Sequence, residues 1–391
     1  MRTIKTAIIV LLLPLGFLGG YLVGNHPTGD NTLQLSGGQK TAAQHAAQLQ
    51  QKIIEYLQGR YYRAVDVNKL EQAGVSGMLK SLNDPWTEYL SPSLVRWFEQ
   101  DMQGTYTGIG ATMEMQGTKL LVKSVFAGSP AQLAGLAAGD QVISVDGRPT
   151  AGLSLVANIA HIKGAAGTKV TLVVQPARGA VQRTLTLTRK EIAMPLTAHR
   201  MLHVGSVPVG YVALSQFAAG AGAQVQAAIK DLVAKGAKWI VFDLRANGGG
   251  LLSEAVKVTG DFLKSGVVVS TEGLHSARQV LDVTGNHPTS LPVVILVNGN
   301  TASASEIVSG ALQDHRRAFL IGTKTFGKGL VQNILTLPGG AALKITTAIY
   351  LTPNGRNINK LGIRPDRVVS DNTKTKADEV VQAALKYIAA H

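Results

Sequence analysis

The sequence predicts an α/β protein that carries an inserted β-rich domain, N- and C-terminal helical segments and an N-terminal transmembrane helix. Three observations carry this reading. Residues 6–24 hold no charged side chain behind Arg2 and Lys5. Residues 104–190 break into short β-like runs separated by turn residues. Residues 191–370 alternate continuous apolar runs with helical patterns, the mark of a largely buried sheet. The length of 391 residues suits two or three domains, and 45% hydrophobic against 16% charged residues is enough to fill their cores.

The segments follow in order. Residues 1–24 read as a membrane anchor, with the run AIIVLLLPLGFLGGYLVG starting at Ala7. A helix over residues 6–24 would span roughly 28 Å, close to the ~30 Å hydrocarbon core. A cleaved signal peptide favours small residues at −3 and −1 of the cut. Gly24 at −1 would leave Leu22 at −3, so an uncleaved anchor is the better reading. The next cation after the span is Lys40, and the positive-inside rule then puts residues 25–391 outside the cytoplasm. Residues 25–40, rich in Gly, Asn and Thr, read as a linker.

Residues 41–103 read as a helical region. Ala47, Leu49, Ile53, Ile54 and Leu57 fall near helical spacing, Leu70, Val75, Met78 and Leu79 continue it, and Asp84-Pro85 breaks it. Its expected role is packing or dimerisation. In the β-rich domain, strands are expected at 120–125, 141–145, 170–174 and 183–188. Asp146-Gly147 marks a turn, and Ser129-Pro130-Ala131 opens a short helix that Gly135 closes. In the α/β domain, strands are expected at 209–214, 239–244 and 293–297, and helices at 223–234 and from about 303. Residues 371–391 form a last helix with Val380, Val381, Ala384, Leu385 and Ile388 on one stripe.

Composition limits the chemistry. With no cysteine, the chain has no disulfide framework, thiolate metal site or cysteine nucleophile. His199, His203, His275 and His287 lack metal-ligand spacing beside an acid, so no metal or cofactor is expected. His315 is expected on a polar surface. The net charge of +14 favours polyanions. The inferred topology makes nucleic acid a poor partner and anionic lipid or wall polymer a better one.

Thr107-Gly108-Ile109-Gly110-Ala111 precedes a strand-like run, and its glycines let several N–H groups point at one spot. With GSPAQLAGLAAGDQVISVDGRP at 128–149, this domain resembles a bacterial PDZ module. The resemblance implies that Gly108, Ile109 and Gly110 bind a peptide's terminal carboxylate while the peptide adds a strand to the sheet edge.

Three further runs carry the chemistry: FDLRANGGG (242–250), LVNGNTASASEI (296–307) and TKTFGKGLVQ (323–332). With MLKSLNDPWTEYL (78–90) and ALKITTAIYLTPNGRNINKLGIRPDRVV (342–369), they resemble the carboxyl-terminal processing peptidases, or tail-specific proteases. The resemblance covers roughly residues 50–370 in the family's order. It implies a crotonase-like, ClpP-like α/β core, an acyl-enzyme mechanism on a Ser–Lys dyad, and dimerisation helped by terminal helices.

By that resemblance the nucleophile is Ser303, the base Lys328 and its companion Gln332. Ser303 and Ser305 point to different faces of a helix start, so only one can serve, and the resemblance favours Ser303. A lysine base must be neutral, so its pKa must fall by ~3 units from about 10.4. Burial in the Phe326-Gly327-Lys328-Gly329-Leu330 run suits that need. Gln332 can accept a hydrogen bond from the amine and orient it. The oxyanion hole is expected from the Ala304 N–H at a helix start and, by resemblance, from Gly249, with Gly250 next. Asp314 also matches a family position, but Arg316 and Arg317 beside it suggest a structural role.

The expected function is that of a membrane-anchored, extracytoplasmic serine endopeptidase acting on proteins with free apolar C-termini. A catalytically dead peptide-binding protein would have lost Ser303 or Lys328, and both are present. An acyl-CoA enzyme with a similar glycine-built oxyanion hole fits poorly with a PDZ module and a membrane span.

Overall fold

The computed structural model describes residues 37–179, 181–284, 289–371, 375 and 377–391. The expected membrane span lies outside them. Among the described residues, no helix is long and apolar enough to cross a membrane. The described residues form two compact units, one of Gln100–Pro195 and one of residues 37–99 with those from Leu196 onward.

The larger unit is built on a sheet in the order Thr197–Val204, Val207–Leu214, Trp239–Asp243, Val293–Val297, Ala318–Gly322, Arg367–Val368. The first pair is antiparallel and every later pair is parallel. All five residues of Val293–Val297 are buried, as expected for a parallel strand covered on both faces. Val209, Tyr211, Val241, Val294, Leu296 and Ile321 pack against Val380, Val381, Ala384 and Ile388 of the helix Glu379–Ala389. Alternation turns Val212, Ile240, Phe242, Ile295 and Leu320 to the opposite face, where they are also fully buried.

Three adjacent parallel strands, Trp239–Asp243, Val293–Val297 and Ala318–Gly322, end at the same edge of this sheet. The loops that follow carry FDLRANGGG, NTASASEI and TKTFGKG, so stretches far apart in sequence are delivered to one place. Arg245 fixes the first loop to the C-terminal helix. Its guanidinium binds Asp243 and reaches Asp371 (3.0 Å) and Asp378 (2.8 Å), and Asp378 caps that helix by accepting from the Val381 N–H. Burial raises the Asp378 carboxyl, but Arg245 and the Val381 N–H hold it below its ordinary value.

A second, antiparallel sheet runs Glu88–Leu90, Ala342–Leu351, Val267–Gly273, Ser276–Asp282, with Leu330–Thr336 also paired to Ala342–Leu351. The helical expectation for 41–103 is corrected here. Gly37–Arg60, Val67–Lys80 and Pro92–Met102 are helices, but Glu88–Leu90 is a strand. Pairing with Ala342–Leu351 gives its backbone donors and acceptors partners that a local helix after Asp84-Pro85 could not provide. The first helix also begins at Gly37, inside the stretch expected as linker.

The smaller unit carries strands at Ala111–Gln116, Lys119–Val125, Gln141–Val145, Lys169–Gln175 and Arg183–Thr188, the last four within a residue of expectation at each end. Asp146 and Gly147 turn at φ of 48° and 76°, as a tight hairpin requires. Ser129 caps the short helix Pro130–Leu133 by accepting from the Gln132 N–H at 3.2 Å. Its core holds Ile109, Met113, Leu120, Val142, Leu172 and Leu187.

His315 corrects another expectation. It is half-buried, and its Nε2 donates to the Val267 carbonyl at 2.8 Å.

Asp261, after the helix Leu252–Gly260, is buried, and its Oδ2 has no hydrogen-bond partner among the described residues. Burial pushes its carboxyl up to about 8, Lys230 draws it back and Glu254 adds to the rise. Between about pH 4 and pH 8 the native group keeps a proton that the unfolded chain has lost, so stability falls as pH rises through this window. Asp261→Asn is expected to remove that dependence and raise Tm at pH 8 by at least about 2 °C in calorimetry. An unchanged pH–Tm curve would contradict it.

Candidate active site

Ser303 stands immediately before the helix Ala304–Asp314 with φ 58° and ψ −116°, a conformation rare for a residue with a Cβ. The turn around it holds that strain. The Ala302 N–H donates to the Asn247 carbonyl at 3.0 Å, and the Ser305 hydroxyl donates to the same carbonyl at 3.0 Å. Ser305 therefore ties the helix start to the glycine loop. Thr301 adds a hydroxyl donation to the Leu244 carbonyl at 2.9 Å.

Glu306 joins this turn to the lysine loop. Its side chain is fully buried and accepts four hydrogen bonds. Oε2 accepts from the N–H groups of Ser303 (2.9 Å) and Lys328 (2.9 Å), and Oε1 from the Gly327 N–H (2.8 Å) and the Thr325 hydroxyl (2.5 Å). Burial pushes the carboxyl above its ordinary value, and these donors pull it back. Thr325 Oγ1 itself accepts from the Ile363 N–H, so its proton is directed at Glu306. Four donors on two oxygens suit the acceptor capacity of a carboxylate. The Tyr350 hydroxyl adds a second clasp, donating to the carbonyls of Lys328 and Ser303.

Lys328 is buried and its amine is drawn down to about 7. Desolvation is the main cause and the neighbouring Lys344 ammonium the next, while Glu88, Asp84 and Glu306 oppose them. Its Nζ lies 4.0 Å from the centre of the Trp86 ring. Gln332 is fully buried: its Nε2 donates to Thr346 Oγ1 at 3.3 Å, and its Oε1 has no partner among the described residues. The fold thus brings Ser303 and Lys328 into one cluster through Glu306 and Tyr350. In this arrangement no hydrogen bond joins Lys328 Nζ to Ser303 Oγ or to Gln332 Oε1 among the described residues.

The glycine loop abuts the Ser303 turn. Gly249 has φ 103°, and a Cβ there would meet the Ala302 carbonyl at 2.8 Å, Ser303 Cβ at 2.9 Å and the Ala304 nitrogen at 3.0 Å. Its N–H donates to Asn247 Oδ1 at 2.9 Å, so this donor is engaged. The Ala304 N–H opens the helix and has no acceptor within it. Gly250 bridges to Phe217, where a Cβ would meet the Phe217 carbonyl at 2.4 Å. Asp314 points away from this chemistry: it accepts from the Asn354 N–H at 2.9 Å and binds Arg356, so it fixes the 353–356 turn.

In the smaller unit, Gly108 pairs with Lys190, and the Ile109 side chain is in the core. The Ile109 carbonyl accepts from the Ala131 N–H at 2.8 Å. The Gly110 carbonyl accepts from the Phe126 N–H at 2.9 Å and the Ser129 hydroxyl at 3.1 Å. The carbonyls of the turn are thereby bound inward.

Sequence reasoning missed Glu306, Trp86 and Tyr350. Glu306 had a signal, since Ser303-Ala304-Ser305-Glu306 has the spacing of an N-terminal capping pattern. Trp86 and Tyr350 lie in the quoted runs 78–90 and 342–369, but nothing there marks their contacts, because Lys328 and Ser303 lie far along the chain.

An α/β core with a buried serine–lysine cluster, joined to a PDZ-like module, defines a class: a serine-type peptidase with a peptide-binding domain. Comparisons narrow it. The profile of "Peptidase family S41" matches residues 208–369, that of "PDZ domain" residues 99–175, and that of "Activating protease CtpB N-terminal domain" residues 17–93. The "Carboxy-terminal-processing protease" of Bartonella bacilliformis is 38% identical over 327 residues, covering 81% of this chain and 73% of that protein. The "Carboxyl-terminal-processing protease" of a Synechocystis species is 38% identical over 319 residues, covering 81% and 75%. The solved "Photosystem II D1 C-terminal processing protease" matches with TM-score 0.51 and 32% identity over 85% of this chain and 89% of that one. The chain belongs to the carboxyl-terminal processing proteases of peptidase family S41.

Glu306→Gln would turn an amide donor onto two groups that already donate. It is expected to cost about 1–3 kcal/mol of stability, read by denaturant unfolding, and to lower kcat more than it raises KM. Equal stability and activity would refute the clasp.

Proposed function

We propose that this C-terminal processing protease cleaves by a Ser–Lys dyad in which Lys328 is the general base for Ser303. The observation that carries this is the burial of Lys328 beside Lys344, which draws its amine down to about 7. At neutral pH a substantial fraction is then the free amine that can take the Ser303 proton. Ser303 Oγ attacks the scissile carbonyl, and an acyl-enzyme forms with the lysine returning its proton to the leaving amine. Water activated by the same lysine then releases the acyl product. Gln332 Oε1, buried and without a partner among the described residues, is suited to receive the amine. The Ala304 N–H binds the oxyanion, joined by the Gly249 N–H once that donor leaves Asn247 Oδ1.

Gly108, Ile109 and Gly110 are read as the carboxylate-binding turn of the PDZ module, which selects free and apolar C-terminal tails. Residues 1–24 are read as a single-pass anchor in a bacterial cell membrane, with the catalytic part extracytoplasmic on the periplasmic or wall side. The terminal helices are read as aids to homodimerisation. The +14 charge supports attraction to anionic lipid rather than to nucleic acid.

Ser303→Ala and Lys328→Ala should each reduce kcat/KM on a peptide with an apolar free C-terminus by about a thousandfold or more. Retained cleavage in either variant defeats the dyad. Because the neutral amine is the active form, kcat/KM of the unaltered enzyme should rise with pH through about 7. Amidating the peptide's carboxylate should raise KM, and unchanged turnover would remove the PDZ role.

For the anchor, the full chain should sediment with membranes and resist high-salt extraction, whereas a chain lacking residues 1–24 should be released. Release of both by salt would assign the attachment to charge alone.

A further inference from the structure

We propose that Trp86 is a positioning residue for Lys328: its indole face holds the lysine amine in its charged form and governs when that amine is released toward Ser303 and Gln332. The inference rests on Lys328 being the base. Nζ lies 4.0 Å from the Trp86 ring centre, while Gln332 Oε1 stays buried without a partner among the described residues.

Trp86 is itself held firmly. Its main-chain N–H donates to Asp84 Oδ1 at 3.0 Å, and the Thr87 hydroxyl donates to Asp84 Oδ2 at 2.6 Å. Thr87 Oγ1 accepts from the Thr346 N–H at 3.1 Å. Glu88–Leu90 then joins the strand Ala342–Leu351, with Glu88 paired to Lys344. The Phe326 ring, two residues before the lysine, meets Trp86 edge-on at 6.2 Å. The residues 84–90 thus form a strap across the lysine loop, with the indole at the point of contact.

An aromatic face attracts an ammonium and has no such attraction for a neutral amine. The contact therefore favours the protonated lysine and fixes where it sits. Other groups act on the same charge from every side. Asp84 and Glu88 on the strap and Glu306 on the nucleophile helix favour the ammonium, whereas Lys344 on the neighbouring strand and burial disfavour it. Trp86 differs from the acids in touching the amine without accepting its proton. When the proton leaves, the attraction ends, and the amine is free to turn to the vacant acceptor on Gln332 and to Ser303 Oγ. The ring thereby couples the position of Nζ to its protonation.

The test compares Trp86→Leu, which keeps the amine covered by apolar atoms but removes the ring, with Trp86→Phe, which keeps a weaker ring. Two readouts are taken: the pH dependence of kcat/KM, and NMR titration of the Lys328 side chain in Ser303→Ala protein carrying isotope-labelled lysine. Trp86→Leu should lower both midpoints by about half to one pH unit, with Trp86→Phe between it and the unaltered enzyme. Midpoints that stay fixed or rise while kcat falls at every pH would overturn the inference, leaving the ring as packing only. If Trp86→Leu fails to fold, the Trp86→Phe shift decides alone, its absence counting against the proposal. Loss of the dyad reading would appear separately, as retained cleavage by Lys328→Ala, because the NMR midpoints report on the ring contact without any turnover.

Discussion

One buried carboxylate organises the active site. Glu306 receives the main-chain N–H groups of Ser303, Gly327 and Lys328 and the hydroxyl of Thr325. A charge placed so far from solvent is costly unless its acceptor positions are filled, and here they are. The same bonds fix the spacing between the Ser303 turn and the Lys328 loop, two segments with no covalent reason to be near. The proposed dyad needs that spacing to be rigid, because its proton would pass over a hydrogen-bond length. The unusual φ of Ser303 follows from it: the turn is held from below by Glu306 and Tyr350 and from the side by Asn247.

The parallel sheet makes the clasp reachable. Three neighbouring strands end at one edge, and their loops carry the glycines, the serine and the lysine in turn. Arg245 extends this order to the end of the chain, since it binds Asp243 at a strand end and Asp378 at the start of the last helix. Docking of that helix and the shape of the glycine loop are therefore parts of one charged network. Gly249 can lie against the Ser303 turn only because it lacks a side chain, and the network holds the backbone there.

Much of this was legible in the sequence. Apolar runs such as 293–297 and the turn chemistry of Asp146-Gly147 are local signals, and they marked strands and a hairpin that the fold contains. Motif order alone suggested that the Ser303 and Lys328 segments share a site, and in the fold both main-chain N–H groups meet at Glu306. What could not be read was set by long-range pairing. Glu88–Leu90 is a strand because Ala342–Leu351 lies beside it, and no property of residues 84–90 alone announces that partner. Trp86, Tyr350 and the engagement of Gly249 with Asn247 belong to the same kind: each depends on where distant segments meet. Asp314 shows the converse. Its motif position matches the family, Arg316 and Arg317 beside it pointed to a structural role, and its distant partners Asn354 and Arg356 give it a turn to hold.

The electrostatics of Lys328 explain why the site is assembled from so many segments. Burial alone would make a lysine neutral at the expense of stability, and acids alone would keep it charged and useless as a base. Here burial and Lys344 draw the amine down, while Asp84, Glu88 and Glu306 draw it up, and the balance lies near neutral pH. These groups come from the strap, the helix Ala304–Asp314 and the second sheet, so the balance exists only when all three are in place. An unfolded or half-assembled chain would carry an ordinary lysine, protonated and inert. With Lys328 as the proposed base, competence to cleave is thus a property of the complete tertiary structure.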